Sequence, residues 1–134
     1  LARGKRADDD PRVGRFLDAV ADVVATRGRR VALIAGADLA HVGPRFGDPE
    51  RVTPAGLAAI AREDREMLEA VAAGDADGFF DAVARDGDRR RICGFSPIYA
   101  LLRLIGSGQG ALRRYGQWPD PDAVVTFASV VFDE

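Results

Sequence analysis

Residues 30–47 read RVALIAGADLAHVGPRFG, and this stretch decides the fold because an apolar run passes at once into polar and turn-forming residues. The apolar run, residues 30–36, is typical of a short buried strand. Asp38 and His41, the only histidine of the chain, follow it. In open α/β sheets, sites are built at the carboxyl ends of the strands. A carboxylate and an imidazole placed there can carry out acid/base or metal chemistry near neutral pH.

A plainer interpretation of these residues is also open. His41 could cap a turn while Asp38 bonds nearby backbone amides, as in the small Asx turns common in loops. Cys93 offers a similar choice. It lies just before a predicted helix start, where helix amides could stabilise a thiolate, yet a lone cysteine is more often a small buried hydrophobic residue.

Capping signals and apolar spacing predict the order α, β, α, α, α, β, β, which indicates an α/β fold with helices packed on a sheet. The pairs Asp10-Pro11, Thr53-Pro54 and Ser96-Pro97 predict three helix starts, and Asp75 predicts a fourth. The last two elements are predicted strands over residues 111–117 and 123–132, and residues 85–91 are expected to form a solvated connection. The predicted apolar face of the first helix comprises Val13, Phe16, Leu17, Val20, Val23 and Val24.

The composition bounds the class of protein. The chain has 134 residues and a net charge of −2, which predicts one globular domain and gives no electrostatic reason to bind nucleic acid. No apolar run is long enough to span a membrane, so we expect no membrane association. Cys93 is the only cysteine, which fits a cytoplasmic location. The chain begins with Leu1 rather than methionine, so we expect a processed protein or a piece of a longer one, with residues 1–9 disordered.

Two motifs and two strands of this chain occur in the order of one known protein family. Residues 37–47 read ADLAHVGPRFG and residues 91–98 read RICGFSPI, and the stretches 115–117 and 124–129 follow them. The motifs resemble S-D-L-S-H-x-G-x-x-F and I-C-G-x-x-P-I of the Memo-like family, and the two stretches resemble its closing strands. Prokaryotic members of this family are also called AmmeMemoRadiSam system protein B. The resemblance covers nearly the whole chain.

The resemblance implies a fold related to class III extradiol dioxygenases, with helices packed on a mixed β-sheet. It implies that residues 1–134 are the C-terminal part of a single Memo-like domain. It also implies a pocket in which Asp38 and His41 are catalytic and Cys93 is a metal ligand. In the family, two histidines from the N-terminal half complete the ligand set, and this chain lacks them. The implied iron or copper cofactor therefore needs that half, and the implied partners are the N-terminal half or other AmmeMemoRadiSam system proteins.

Two functions from different classes follow. The first is a metal-binding protein that acts as a non-haem oxidoreductase, although the sequence leaves open whether the chain is an enzyme. The alternative is a non-catalytic module that binds a peptide or small ligand in the same pocket. In both cases we expect Asp38, His41 and Cys93 to converge at one end of the sheet. If half of the sheet is missing, an apolar face and a sheet edge should be exposed.

Overall fold

The structure is a computed structural model, and it describes residue 6 and residues 9–27, 31–106 and 108–132. Four helices pack against a three-stranded antiparallel sheet in which the last strand of the chain is the central one, which confirms the α/β class. The elements are α1 (Pro11–Thr26), β1 (His41–Val42), a 3-10 turn (Pro44–Phe46), α2 (Pro54–Ala72), α3 (Ala76–Ala84), α4 (Phe95–Ile105), β2 (Gly110–Trp118) and β3 (Val124–Phe132). Over these residues, no helix is long and apolar enough to cross a membrane.

Three of the four predicted helix starts are confirmed with their capping bonds. Asp10, Thr53 and Asp75 each accept a hydrogen bond from a backbone amide in the first turn of the helix that follows. The fourth prediction is wrong, because α4 begins at Phe95 with Gly94 as its cap, and Ser96 lies inside the helix. The amide of Phe95 bonds the Ile92 carbonyl, so a backbone turn starts this helix without a side-chain cap.

The strand predicted over residues 30–36 is absent, and Arg30 lies outside the described residues. Residues 31–40 form neither helix nor strand. Pairing with β3 begins only where the Leu39 amide bonds the Thr126 carbonyl at 2.8 Å, and it continues through β1. The side chain of Ile34 is 87% exposed. No described strand lies beside residues 31–37 to accept their hydrogen bonds, and the parallel part of the expected mixed sheet is not seen among the described pairs.

The core lies between one face of the sheet and helices α2, α3 and α4. The predicted apolar residues Phe79, Phe80 and Val83 of α3 are all buried, and the first two pack on the ring of Phe95. Tyr99, fully buried in α4, stacks on the other side of this aromatic group. The other fully or nearly fully buried apolar residues are Leu17, Leu39, Ala40, Ile60, Met67, Leu68, Val71, Ile92, Ile98, Leu102 and Val124.

Helix α1 buries much less than its sequence predicts. Of its six predicted core residues only Leu17 is buried, whereas the side chains of Phe16 and Val23 are 63% and 52% exposed. Among the described elements α1 packs mainly against α4, which leaves Val13, Val20 and Val24 only half-buried. The prediction of disorder over residues 1–9 falls largely outside the described residues. Arg6, one of the two that are described, forms ion pairs with Asp77 and Asp81 of α3.

A buried polar cluster joins α2, the loop before α4, and the sheet. Asp64, on the inner face of α2, is fully buried and pairs with the buried guanidinium of Arg90. The hydroxyls of Thr126 and Tyr115 donate to Asp64 Oδ2 at 2.6 and 2.9 Å. Burial raises the pKa of Asp64, while the Thr126 hydroxyl and the charge of Arg90 oppose that rise. The prediction that residues 85–91 are a solvated connection is therefore wrong at Arg90.

Replacing Asp64 with asparagine should destabilise the fold strongly. The change removes the only fully buried carboxylate beside Arg90 and leaves its charge paired with the half-buried Glu63 alone, which costs about 3–5 kcal/mol in unfolding free energy. The matched control is Glu63→Gln. The Glu63 carboxylate is half-buried and lies 3.4 Å from Arg90 Nε, and removing its charge should cost about 1 kcal/mol or less. Urea unfolding of the two variants beside the parent measures both values, and equal costs would show that the pair does not hold the core together.

Candidate functional site

Asp38, His41 and Cys93 meet at one place on the surface. One possible ligand atom from each residue, a carboxylate oxygen, an imidazole nitrogen and the thiol sulfur, lies within 4.8 Å of the other two. The side chains of Asp38 and Cys93 are exposed and that of His41 is half-buried. The convergence expected from the sequence is confirmed, although His41 begins a strand and does not follow one.

Backbone hydrogen bonds hold the two halves of the site together. The Cys93 amide donates to the Leu39 carbonyl at 3.3 Å, and the Gly94 amide donates to the Asp38 carbonyl at 3.0 Å. The Cys93 thiol also lies 3.6 Å from that Asp38 carbonyl, as a weak donor. Residues 55 positions apart in the chain are thus fixed side by side by their main chains.

Gly94 permits this close approach. A Cβ atom at this position would lie 2.4 Å from the Asp38 carbonyl oxygen and 2.8 Å from the Ala37 Cβ. The φ angle of Gly94 is −73°, which any residue can adopt, so the requirement for glycine here is steric rather than conformational.

The imidazole of His41 is oriented by a main-chain carbonyl. Its Nδ1 lies 3.1 Å from the Leu39 carbonyl oxygen. A carbonyl can only accept, so we assign the proton to Nδ1, which leaves the lone pair of Nε2 available to a ligand or a proton. Phe46 packs against the ring at 5.0 Å in an edge-to-face arrangement. The Asp38 carboxylate makes no hydrogen bond with any described residue, so neither the backbone amides nor the imidazole hold it.

The buried polar cluster supports the His41 side of the site. The Arg90 carbonyl accepts from the His41 amide at 2.7 Å, and the Thr126 hydroxyl accepts from the Ala40 amide at 2.9 Å. These two bonds fix the consecutive peptide groups Leu39–Ala40 and Ala40–His41. Both bonding partners also bind Asp64, Thr126 through the same hydroxyl and Arg90 through its guanidinium. The orientation of the imidazole therefore depends on the buried polar cluster.

A second ion pair supports the same loop from outside. Arg91 bonds the Asp48 carboxylate at 2.7 Å and the His41 carbonyl at 3.1 Å. Asp48 also accepts a hydrogen bond from the Gly43 amide at 2.7 Å. The bond from Arg91 is the main cause that lowers the pKa of Asp48, and the bond from the Gly43 amide is the second. Arg91 adopts a φ of +52°, which is uncommon outside glycine and shows that the loop before Cys93 is held in a constrained turn.

Sequence reasoning missed the residues that hold the site. Asp64 was recognisable in principle, because it stands four residues after Ile60 and four before Leu68 on the buried face of α2. Arg90 gave no comparable signal, since it lies in a run of three arginines of which the outer two face solvent or surface carboxylates. The role of the Leu39 carbonyl could not be predicted from the sequence, because every residue has a backbone carbonyl.

Comparison with known proteins gives a consistent result. A family model described as Memo-like protein matches residues 6–131. The chain is similar to a MEMO1 family protein of Methanosarcina barkeri, with 29% identity over 122 residues that cover 85% of this chain and 40% of that protein. It is 28% identical to a MEMO1 family protein of Methanosarcina mazei, over 90% of this chain and 42% of that protein. It is 29% identical to a MEMO1 family protein of Aquifex aeolicus, over 75% of this chain and 26% of that protein. The chain therefore spans less than half the length of these relatives.

Gly94→Ala should destabilise the chain and separate the two halves of the site. The added methyl group meets main-chain atoms that cannot move alone, and overpacking of this kind costs about 1–3 kcal/mol. The matched control is Gly14→Ala, whose Cβ in α1 would meet nothing within 4 Å and which should stabilise the chain by up to about 1 kcal/mol. Chemical denaturation measures both. A Gly94 variant as stable as the parent would contradict the close approach.

Proposed function

This chain belongs to the Memo-like protein family, and on that premise we propose that it supplies part of a pocket for an iron or copper ion in a non-haem oxidoreductase. The observation that supports the proposal is the meeting of a thiol, an imidazole and a carboxylate within 4.8 Å of one another. Metal–ligand bonds of about 2.0–2.3 Å bring the ligand atoms of one ion to similar separations, so small side-chain movements suffice for all three to face a single ion.

The chemistry of the three groups fits these metals. Thiolate and imidazole are ligands that suit copper and iron, and a redox-active ion would supply electron transfer at the pocket. Cys93 is the proposed ligand, because its sulfur is free and exposed beside the imidazole and the carboxylate. Its position is fixed by the bonds from residues 93 and 94 to the carbonyls of Leu39 and Asp38.

His41 is the proposed acid/base group. Its Nδ1 is occupied by the Leu39 carbonyl, so proton exchange with a substrate would take place at Nε2. The exposed carboxylate of Asp38, unpaired among the described residues, is proposed to bind or orient a polar group of the substrate. Main-chain hydrogen bonds of residues 38–41 hold the backbone of both residues beside Cys93.

The pocket needs further ligands from outside this chain. A transition-metal site usually has three or four protein ligands, and with Cys93 as the one assigned ligand the set is incomplete. The chain spans 40% and 42% of two MEMO1 family relatives, so most of the length of such a protein lies outside these residues. We therefore place the proposed activity in the full-length gene product and not in these 134 residues alone.

Metal analysis of variants of the full-length gene product tests this division of roles. Cys93→Ala should lose most of the bound iron or copper, because a direct ligand is removed. His41→Ala should keep most of the metal but lose turnover or ligand response. The matched control is Ser96→Ala, an exposed polar residue three positions after Cys93 in the first turn of α4, which should change neither.

Three outcomes would contradict the proposal. Equal loss of metal in His41→Ala and Cys93→Ala would make His41 a ligand. Tight one-to-one binding by the 134-residue chain that is lost in Cys93→Ser would show that Asp38, His41 and Cys93 form a complete set. A full-length protein that holds no stoichiometric iron or copper would favour the non-catalytic binding module.

A further inference from the structure

The loop that follows β1 places an aromatic ring against the candidate site. Residues 43–48, which we call the aromatic loop, fold back on themselves, because the amides of Phe46 and Asp48 both donate to the Gly43 carbonyl, at 2.9 and 3.3 Å. The Phe46 side chain meets the imidazole of His41, with 5.0 Å between the ring centroids and an angle of 83° between the ring planes. The imidazole therefore has a packing partner besides its hydrogen bond to the main chain.

The base of the aromatic loop is held against the loop between β2 and β3. The Arg45 amide donates to the Asp122 carbonyl at 3.0 Å. Gly43 is buried and lies so near that a Cβ atom there would be 2.7 Å from the same carbonyl oxygen. Its φ angle of +124° is also one that other residues rarely adopt. The path of the loop is therefore set at its start, and Phe46 is the side chain that this path brings to His41.

A side-chain ion pair closes the aromatic loop and joins it to the strand of His41. The Asp48 carboxylate accepts a hydrogen bond from the Gly43 amide at 2.7 Å, which bridges the two ends of the loop. The Arg91 guanidinium donates to both oxygens of that carboxylate, at 2.7 and 3.1 Å, and to the His41 carbonyl at 3.1 Å. A planar guanidinium that forms two bonds to one carboxylate fixes direction as well as distance. Arg91 therefore contacts both the residue that carries the imidazole and the loop that packs on it.

We propose that Phe46, Asp48 and Arg91 are positioning residues for His41, which hold its ring so that Nδ1 carries the proton and Nε2 keeps its lone pair. Phe46 touches the ring, and the ion pair between Asp48 and Arg91 holds the loop of Phe46 in place. The inference rests on the proposed acid/base function of His41, because a base in the pocket needs a free lone pair on Nε2.

The hydrogen bond from Nδ1 does not by itself hold the ring. It is a single bond from a half-buried side chain, and water can replace it at small cost. The Asp38 carboxylate makes no hydrogen bond with any described residue, so it gives the imidazole no second support. A ring that leaves the Leu39 carbonyl moves its proton mainly to Nε2, which is the tautomer that unconstrained neutral histidine prefers. Packing by Phe46 opposes that movement.

NMR of the imidazole nitrogens tests the assignment. The full-length gene product is freed of metal with a chelator and kept at about pH 8.5, where histidine side chains are ordinarily neutral. The signals that disappear in His41→Ala identify the ring, and in the parent the proton should lie on Nδ1. Phe46→Ala and Asp48→Asn should each lower the ratio of the Nδ1–H to the Nε2–H tautomer about two- to tenfold, which is the net effect of losing one hydrogen bond at room temperature.

The matched control is Glu66→Gln, which breaks a different surface ion pair, with Arg85, and should leave the ratio unchanged. Urea unfolding of the same variants separates positioning from stability alone. A loss of stability with no change in the ratio would overturn the proposal, as would a parent ring that carries its proton on Nε2. A lower ratio in Phe46→Ala alone would overturn the function assigned to Asp48 and Arg91.

Two features keep the test decisive. If Asp48→Asn does not fold, Phe46→Ala decides the case, because the Phe46 ring is not part of the apolar core. A full-length product without iron or copper would contradict the proposed function, but the tautomer ratio is measured without metal and still decides this inference.

Discussion

The buried ion pair between Asp64 and Arg90 is the interaction on which the rest of the structure depends. It ties the inner face of α2 to the loop that leads to Cys93, and through the Thr126 hydroxyl it ties both to the sheet. The backbone carbonyl of the same arginine holds the His41 amide. A buried pair of this kind contributes little net stability over an apolar replacement, but it admits few alternative arrangements once formed. Its contribution here is to fix one register between α2, the loop and β3, and so to place His41 and Cys93 side by side.

The site itself is built mainly by main chain. Leu39 accepts from both the Cys93 amide and the His41 imidazole, so a single carbonyl relates the two candidate functional groups. Gly94 makes room for this contact, and Arg91 in its constrained turn carries the chain from the buried Arg90 out to the exposed Cys93. The positions of the His41 and Cys93 side chains are thus set by main-chain hydrogen bonds. Groups held in this way keep their positions without cost at the moment of binding, which is the general advantage of a preorganised site.

Local signals in the sequence predicted the local parts of the fold. The caps at Asp10, Thr53 and Asp75 and the two long strands were predicted because each depends on a few neighbouring residues. The site residues Asp38, His41 and Cys93 could be named because their types and the family motifs are distinctive, whereas the atoms that position them come from distant segments. Predictions failed where tertiary contacts decide. The backbone turn that starts α4 follows directly on residues 93 and 94, which are bonded to the distant carbonyls of Leu39 and Asp38, and residues 31–36 lack a neighbouring strand among the described residues.

The two main-chain bonds that join residues 38–39 to residues 93–94 have a consequence for folding kinetics. They close a loop of about 55 residues, and the chain entropy lost in closing it opposes every contact between Cys93 and residues 38–41. Local pairs such as α2 with α3 and β2 with β3 form without that cost and come first. Contacts made after the rate-limiting step act on the rate of unfolding more than on the rate of folding. We therefore expect the lifetime of the assembled site to depend on how slowly this loop reopens rather than on how quickly the chain collapses.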